Sequence, residues 1–132
     1  MDVSLQRVQR MARWLAVLLA VALPPTLWLG GAQPIAVGLF TSPWDKVAHI
    51  TVYAVLSCAI GFASGRRGFS AMAIGFVGAL LVGLLDEAHQ MRLPGRSADI
   101  DDLVADAVGA ALGTTVLAVR IHVREWVASH TA

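Results

Sequence analysis

The sequence from residue 86 to residue 102 reads DEAHQMRLPGRSADIDD, and it separates two long apolar runs at about 69–85 and 103–121. The chain has 132 residues and is 57% hydrophobic, yet residues 86–113 contain six of its nine acidic residues. Charged side chains are costly in apolar surroundings unless they are paired or hydrated. This stretch therefore marks the end of two apolar helices and the first place to look for a functional site.

The composition of the chain indicates an integral membrane protein. Its mean hydropathy of +0.68 is too high for a water-soluble domain of this length. Four stretches are long and apolar enough to cross a bilayer, at about 12–29, 47–63, 69–85 and 103–121. The connections between them leave no room for a second domain. We therefore predict an all-α protein whose residues 1–132 form a single membrane domain, a bundle of four transmembrane helices.

The distribution of charge predicts the orientation of these helices. Seven arginines lie in the N-terminal tail, the second loop and the C-terminal tail, where only Asp2 and Glu125 oppose them. The seven are Arg7, Arg10, Arg13, Arg66, Arg67, Arg120 and Arg124. With four spans these segments share one side of the membrane, so the positive-inside rule predicts that both termini are cytoplasmic. We expect a multi-pass protein of the plasma (inner) membrane with its acidic cluster facing the extracytoplasmic side.

Polar residues share single faces at the outer ends of the second and third helices. Four of them at the start of the second helix fall within about 100° of arc: Asp45, Lys46, His49 and Tyr53. On the third helix, Glu87 and Gln90 continue a face of small residues and are expected to line a site. Asp86 and His89 point elsewhere on the same helix and are expected to flank it.

The fourth helix, predicted to begin near residues 97–101, carries acids and glycines on one face. Five positions fall within about 80° of arc: Asp99, Asp102, Asp106, Gly109 and Gly113. Acids in a first turn are favoured by the helix dipole and by capping, which is a structural explanation for Asp99 and Asp102. Asp106 lies deeper, where a carboxylate must be paired, hydrated or neutralised, and is a functional candidate. The small residues favour close packing, within the bundle or between copies in a homo-oligomer.

Taken together, these motifs resemble those of the VanZ-like family of bacterial membrane proteins. The matching elements, within about residues 40–120, are Asp45-Lys46-x-x-His49-x-x-x-Tyr53-x-x-Leu56, Glu87-x-x-Gln90 and Gly95-Arg96-x-x-Asp99-x-x-Asp102-x-x-x-Asp106-x-x-Gly109-x-x-x-Gly113. One position departs from the family's pattern, since Asp106 stands where the family usually has asparagine. The resemblance implies a four-helix membrane domain and, for the founding member, an accessory role in resistance to the glycopeptide teicoplanin. It implies no particular reaction.

A ligand site facing outward is the first hypothesis for these residues. It would bind or act on a cell-envelope lipid, a lipid phosphate or a glycopeptide-related component. Arg96 and Lys46 could hold a phosphate, while His49, Glu87 and Asp102 are the catalytic candidates. The full set of ligand-binding candidates is Asp45, Lys46, His49, Tyr53, Glu87, Gln90, Arg96, Asp99, Asp102 and Asp106.

Metal binding and catalysis are open alternatives. Glu87, Asp99 and Asp102 could hold a divalent cation such as Mg²⁺ or Mn²⁺, although their spacing is not a known metal signature. No serine or cysteine nucleophile lies in the cluster.

Two non-enzymatic hypotheses are alternatives to a ligand site. One is a proton- or ion-responsive membrane module. The other is a structural network of ion pairs, for example Arg96 with Asp99 and Lys46 with Glu87. Nucleic-acid binding is not expected, because the N-terminal arginines lie beside a span and are predicted to anchor it.

Overall fold

The fold was analysed in a computed structural model that describes residues 3–36, 38–39 and 41–130, without the side chains of residues 124, 125 and 128. The predicted contributions of Asp2, Arg124 and Glu125 to the charge balance therefore lie outside the described parts. The described elements are α1 (Val3–Gly31), a 3₁₀ turn (Pro34–Ala36), α2 (Trp44–Ala63), α3 (Gly68–Gln90) and α4 (Ile100–His130). No β-strand occurs among the described residues, so the all-α prediction is confirmed.

All four α-helices are long and apolar enough to cross a membrane. Each predicted span lies inside one of them, but the helices extend beyond the apolar stretches. For example, α3 continues through Asp86 and Glu87 to Gln90, and α1 begins at Val3. Hydropathy locates only the lipid-facing part of a helix, whereas backbone hydrogen bonds continue through the polar residues that follow. The candidate site is consequently built on rigid helix ends.

Helices α2, α3 and α4 pack against one another, and α1 packs mainly on α2. Their common core contains Tyr53, Leu56, Ala79 and Ala110. A side-chain bond crosses this core where the Ser57 hydroxyl donates to the carbonyl of Ala110 at 2.9 Å. Many large apolar side chains on the outer surface remain exposed, as a lipid environment requires.

Glycines bring the backbones of the core helices together. At Gly109 and Gly113 of α4, an added Cβ would collide with the backbone oxygens of Ile50 and Ala54 in α2. At Gly75 of α3, it would lie 2.5 Å from the carbonyl oxygen of Ser57. The small-residue faces predicted from the sequence therefore serve packing within the bundle.

A single methyl group at this contact is expected to destabilise the bundle. Gly113→Ala should lower the melting temperature of the purified protein in detergent, because the Ala54 carbonyl cannot move away without shifting α2. Gly30→Ala is the matched control, since a Cβ there meets nothing within 4 Å. Alanine is favoured over glycine in a helix by about 0.5–1 kcal/mol, so the control should be neutral or stabilising. Equal melting temperatures for the two variants would contradict the close packing.

Candidate functional site

The polar residues predicted from three separate helices meet at one end of the bundle. This polar end comprises the start of α2, the end of α3, the α3–α4 connection and the start of α4. It forms because α2, α3 and α4 are joined by short connections and run in alternating directions. Residues near position 46 and residues near position 102 thus become neighbours, although more than fifty residues separate them in sequence.

Lys46 is the centre of the ion pairs at the polar end. Its ammonium donates to Asp99 at 3.0 Å and to Asp102 at 2.5 Å, and lies 3.4 Å from Asp45. The Lys46 side chain is 25% exposed. Two of its three partners belong to the beginning of α4, so this lysine ties α2 to α4.

Asp99 and Glu87 hold the connection between α3 and α4 in place through hydrogen bonds to the backbone. The backbone N–H of Asp101 and the ammonium of Lys46 both donate to the Asp99 carboxylate, and these contacts hold the pKa of Asp99 below its ordinary value. The backbone N–H of Asp99 donates in turn to Glu87 at 2.8 Å. Asp99 therefore caps the start of α4, and one oxygen of Glu87 is used to hold the cap in place.

His49 and Asp106 form a second polar pair deeper in the bundle. The Nδ1 atom of His49 lies 2.7 Å from the Asp106 carboxylate, and its Nε2 atom lies 3.8 Å from Asp102. Asp106 is fully buried, whereas the His49 side chain is 20% exposed. The imidazole also stacks on Tyr53, with the ring planes 5° apart. Asp106 and Tyr53 thus fix the orientation of the imidazole.

Asp86, Glu87 and Gln90 of α3 are all 7% exposed. The Gln90 amide donates to Asp86 at 3.0 Å. Asp86 was expected to flank the site, and the structure adds a contact that joins it to Gln90, a residue expected to line the site. The spacing of four residues between Asp86 and Gln90 was the signal that could have found it. His89 lies beside Trp28 of α1, with ring centroids 6.1 Å apart.

Several buried polar atoms at the polar end have no hydrogen-bond partner among the described residues. They are the Tyr53 hydroxyl, Glu87 Oε1, Asp106 Oδ2, Asp45 Oδ1 and Arg96 Nε. The first three share one region around Gly83, where an added Cβ would lie 2.7 Å from Asp106 Oδ2 and 3.3 Å from the Tyr53 ring. Glu87 follows Gly83 by one helical turn. Buried polar groups normally have partners, so this region is a candidate place for water or a ligand.

Comparison with known protein families identifies the one to which this chain belongs. The model of the VanZ/LLP1 family matches residues 4–121. The chain belongs to the VanZ/LLP1 family. The match runs from the beginning of α1 through most of α4 and includes every predicted site residue. No curated protein and no solved structure matches the chain.

The predicted ion pairs of this VanZ/LLP1 protein differ from those observed. Lys46 pairs with Asp45, Asp99 and Asp102 instead of Glu87. An Arg96–Asp99 pair does not occur among the described residues. Pairing is set by the positions of the helix ends: Glu87 is already engaged by the backbone of residue 99, and the carboxylates of the first turn of α4 lie nearer to Lys46.

The three residues proposed as metal ligands in this VanZ/LLP1 protein each have another partner in the structure. Within the described ranges, no group of three or more His, Cys, Asp or Glu side chains is arranged to hold a metal ion. Asp99 and Asp102 are bonded to the Lys46 ammonium, and Glu87 accepts a backbone N–H. The lysine therefore supplies the positive charge that a divalent cation would bring to these carboxylates.

Proposed function

We propose that this VanZ/LLP1 protein is a plasma-membrane protein whose polar end faces the extracytoplasmic side and binds a cell-envelope component there. The orientation rests on the positive-inside rule, because the opposite end of the bundle carries most of the arginines. The ligand is the polar headgroup of an envelope lipid or a glycopeptide-related component. Such a ligand reaches the site from the outer surface of the same membrane.

The observation that carries this proposal is the set of unpartnered buried atoms around Gly83. Asp106 Oδ2 and Glu87 Oε1 are acceptors without a donor, and the Tyr53 hydroxyl has no partner of its own. Burying these three atoms together without partners costs free energy, and a role limited to stabilising ion pairs does not explain that cost. A ligand that brings hydroxyl or amino donors would satisfy them.

The charges at the polar end favour a donor-rich headgroup over a phosphate. Lys46, one of the two cations expected to hold a phosphate, is already surrounded by three carboxylates. Acids outnumber basic side chains in the rest of the site, and an added phosphate would be repelled by them. Hydroxyl groups of a sugar, or an amino group, suit these acceptors better.

His49 is the residue best placed for acid–base chemistry if the ligand is altered. Its imidazole is oriented by Asp106, which is the arrangement that a general base requires. Its Nε2 atom points towards Asp102, at a distance too long for a hydrogen bond, so a proton-bearing group of the ligand could lie nearby. Asp102 and Glu87 complete the catalytic candidates.

Mass spectrometry of lipids tests the proposal directly. Purified wild type and His49→Gln would each be incubated with an envelope-lipid extract, and both bound and free lipids would be analysed. A lipid altered by wild type alone establishes an enzyme with His49 in its mechanism. A lipid retained by wild type without change establishes a binding protein. If no lipid is retained or altered, the proposal is overturned.

The non-enzymatic alternative is supported by a different observation. Lys46 links α2 to α4 through Asp99 and Asp102, and such a network can stabilise a fold without binding anything. The buried His49–Asp106 pair is likewise an ingredient of proton-responsive modules. Under this alternative, substitutions that reduce function should reduce stability to the same extent.

A further inference from the structure

A second site lies at the opposite end of the bundle, where five arginines surround a cavity of about 590 Å³. The arginines come from α1, from the α2–α3 turn and from α4, and we call this cavity the arginine cleft. They are Arg10, Arg13, Arg66, Arg67 and Arg120. Among the side chains that the structure describes, no acidic residue lines the cleft. Guanidinium groups gathered in this way repel one another unless an anion lies among them.

Two contacts hold the walls of the arginine cleft in place. Arg13 Nε donates to the carbonyl of Ala63 at 3.4 Å, which joins α1 to the end of α2. The guanidinium of Arg120 lies over the Phe62 ring, 3.9 Å from its centroid. Arg10, Arg66 and Arg67 are exposed, so their side chains can reach a ligand that enters from the surface.

An apolar groove begins where the arginine cleft ends. It has a volume of about 400 Å³ and runs between α1 on one side and α2 and α4 on the other. Its walls include Leu15, Leu19 and Val55, and the same Phe62 and Arg120 also line the arginine cleft. Along α1, the groove lies further into the apolar span than the arginines do. The two cavities thus adjoin at Phe62 and Arg120, and together they are charged at the surface and apolar towards the middle of the helices.

We propose that the arginine cleft and the apolar groove together bind an anionic membrane lipid. Its phosphate lies among the arginines, which can form paired hydrogen bonds to phosphate oxygens. One hydrocarbon chain lies in the groove, where it replaces other apolar contacts along α1. Basic cavities between membrane-spanning helices are known to bind lipid headgroups. The adjacency of the two cavities favours a lipid over a free phosphate, which would use the arginine cleft alone.

Native mass spectrometry in a neutral detergent tests the headgroup part of the site. Wild type is expected to retain dioleoyl phosphatidylglycerol in preference to dioleoyl phosphatidylcholine. Arg10→Gln/Arg67→Gln should reduce retention of the anionic lipid by about tenfold or more, because two charge-assisted contacts are lost. The control Arg7→Gln/Arg92→Gln removes the same charge from exposed residues outside the cleft and should bind as wild type does. Equal losses in both variants would overturn the proposal.

Two further arms separate a lipid from a free anion. Val55→Trp fills the groove and should reduce lipid retention with all arginines intact, whereas Val77→Trp, on an exposed position of α3, should not. Inorganic phosphate added in excess should displace little of the lipid from wild type. If phosphate displaces it completely and Val55→Trp binds as well as wild type, the groove has no role and the lipid assignment is wrong. The arginine variants are at exposed positions, so their folding is not expected to change.

Discussion

Glu87→Gln should strongly reduce retention or alteration of the envelope ligand while leaving the fold intact. In the wild type, one carboxylate oxygen of Glu87 accepts the N–H of Asp99, and the other is buried without a partner. The glutamine oxygen can still accept from Asp99, but its amide would present a donor where the ligand meets an acceptor. Losing one charged hydrogen bond costs about 1.5–3 kcal/mol, which corresponds to roughly a 10- to 100-fold loss of binding.

The measurement is the amount of ligand bound or altered, taken together with the melting temperature of each variant. Asp101→Asn is the control, because Asp101 is an exposed neighbour of the site and loses the same charge. It should bind as wild type does. If Glu87→Gln loses stability and binding in parallel, the polar end is a structural network and the ligand proposal fails.

Lys46→Met should be the most destabilising single substitution at the polar end. It removes the shared partner of three carboxylates and leaves them facing one another. Removing one member of a fully buried pair costs about 3–5 kcal/mol. Lys46 is partly exposed and its partners can be hydrated, so we expect a smaller loss, roughly 1–3 kcal/mol.

A double-mutant cycle measures this coupling. The free energy of unfolding would be compared for wild type, Lys46→Met, Asp102→Asn and the double variant in the same detergent. Lys46→Met should lower the free energy of unfolding by less in the Asp102→Asn background, since one of the carboxylates that lose their partner is then absent. Arg92→Met, at an exposed cation on the α3–α4 connection, should change stability by no more than about 0.5 kcal/mol. Additive effects of the two site substitutions would show that the ion pair does not link α2 to α4.

The two proposals for this VanZ/LLP1 protein concern opposite ends of one bundle. The polar end offers unpartnered acceptors and an oriented imidazole, whereas the opposite end offers arginines beside an apolar groove. The tests are independent, since Arg10→Gln/Arg67→Gln leaves every residue of the polar end unchanged. Failure of one proposal would not affect the other.

Several properties were determined by the sequence alone. Four helices, their order and the position of the polar end follow from the lengths of the apolar runs and from where the charges interrupt them. Helical periodicity was also sufficient to place Lys46, His49 and Tyr53 on one face of α2 and Asp102 and Asp106 on one face of α4. These predictions succeed because the bilayer sets helix length and each helix has a regular repeat.

Only the tertiary structure decided which charged groups meet. The partners of Lys46, the burial of Asp86 and the pairing of His49 with Asp106 depend on how the helices rotate and slide against one another. Glycine contacts such as that of Gly113 with Ala54 set this rotation. Periodicity describes one helix at a time, whereas the contacts of Lys46 with Asp102 and of His49 with Asp106 join residues more than fifty positions apart. The physical reason is that interactions within a helix are local in sequence, while the packing that creates a site is not.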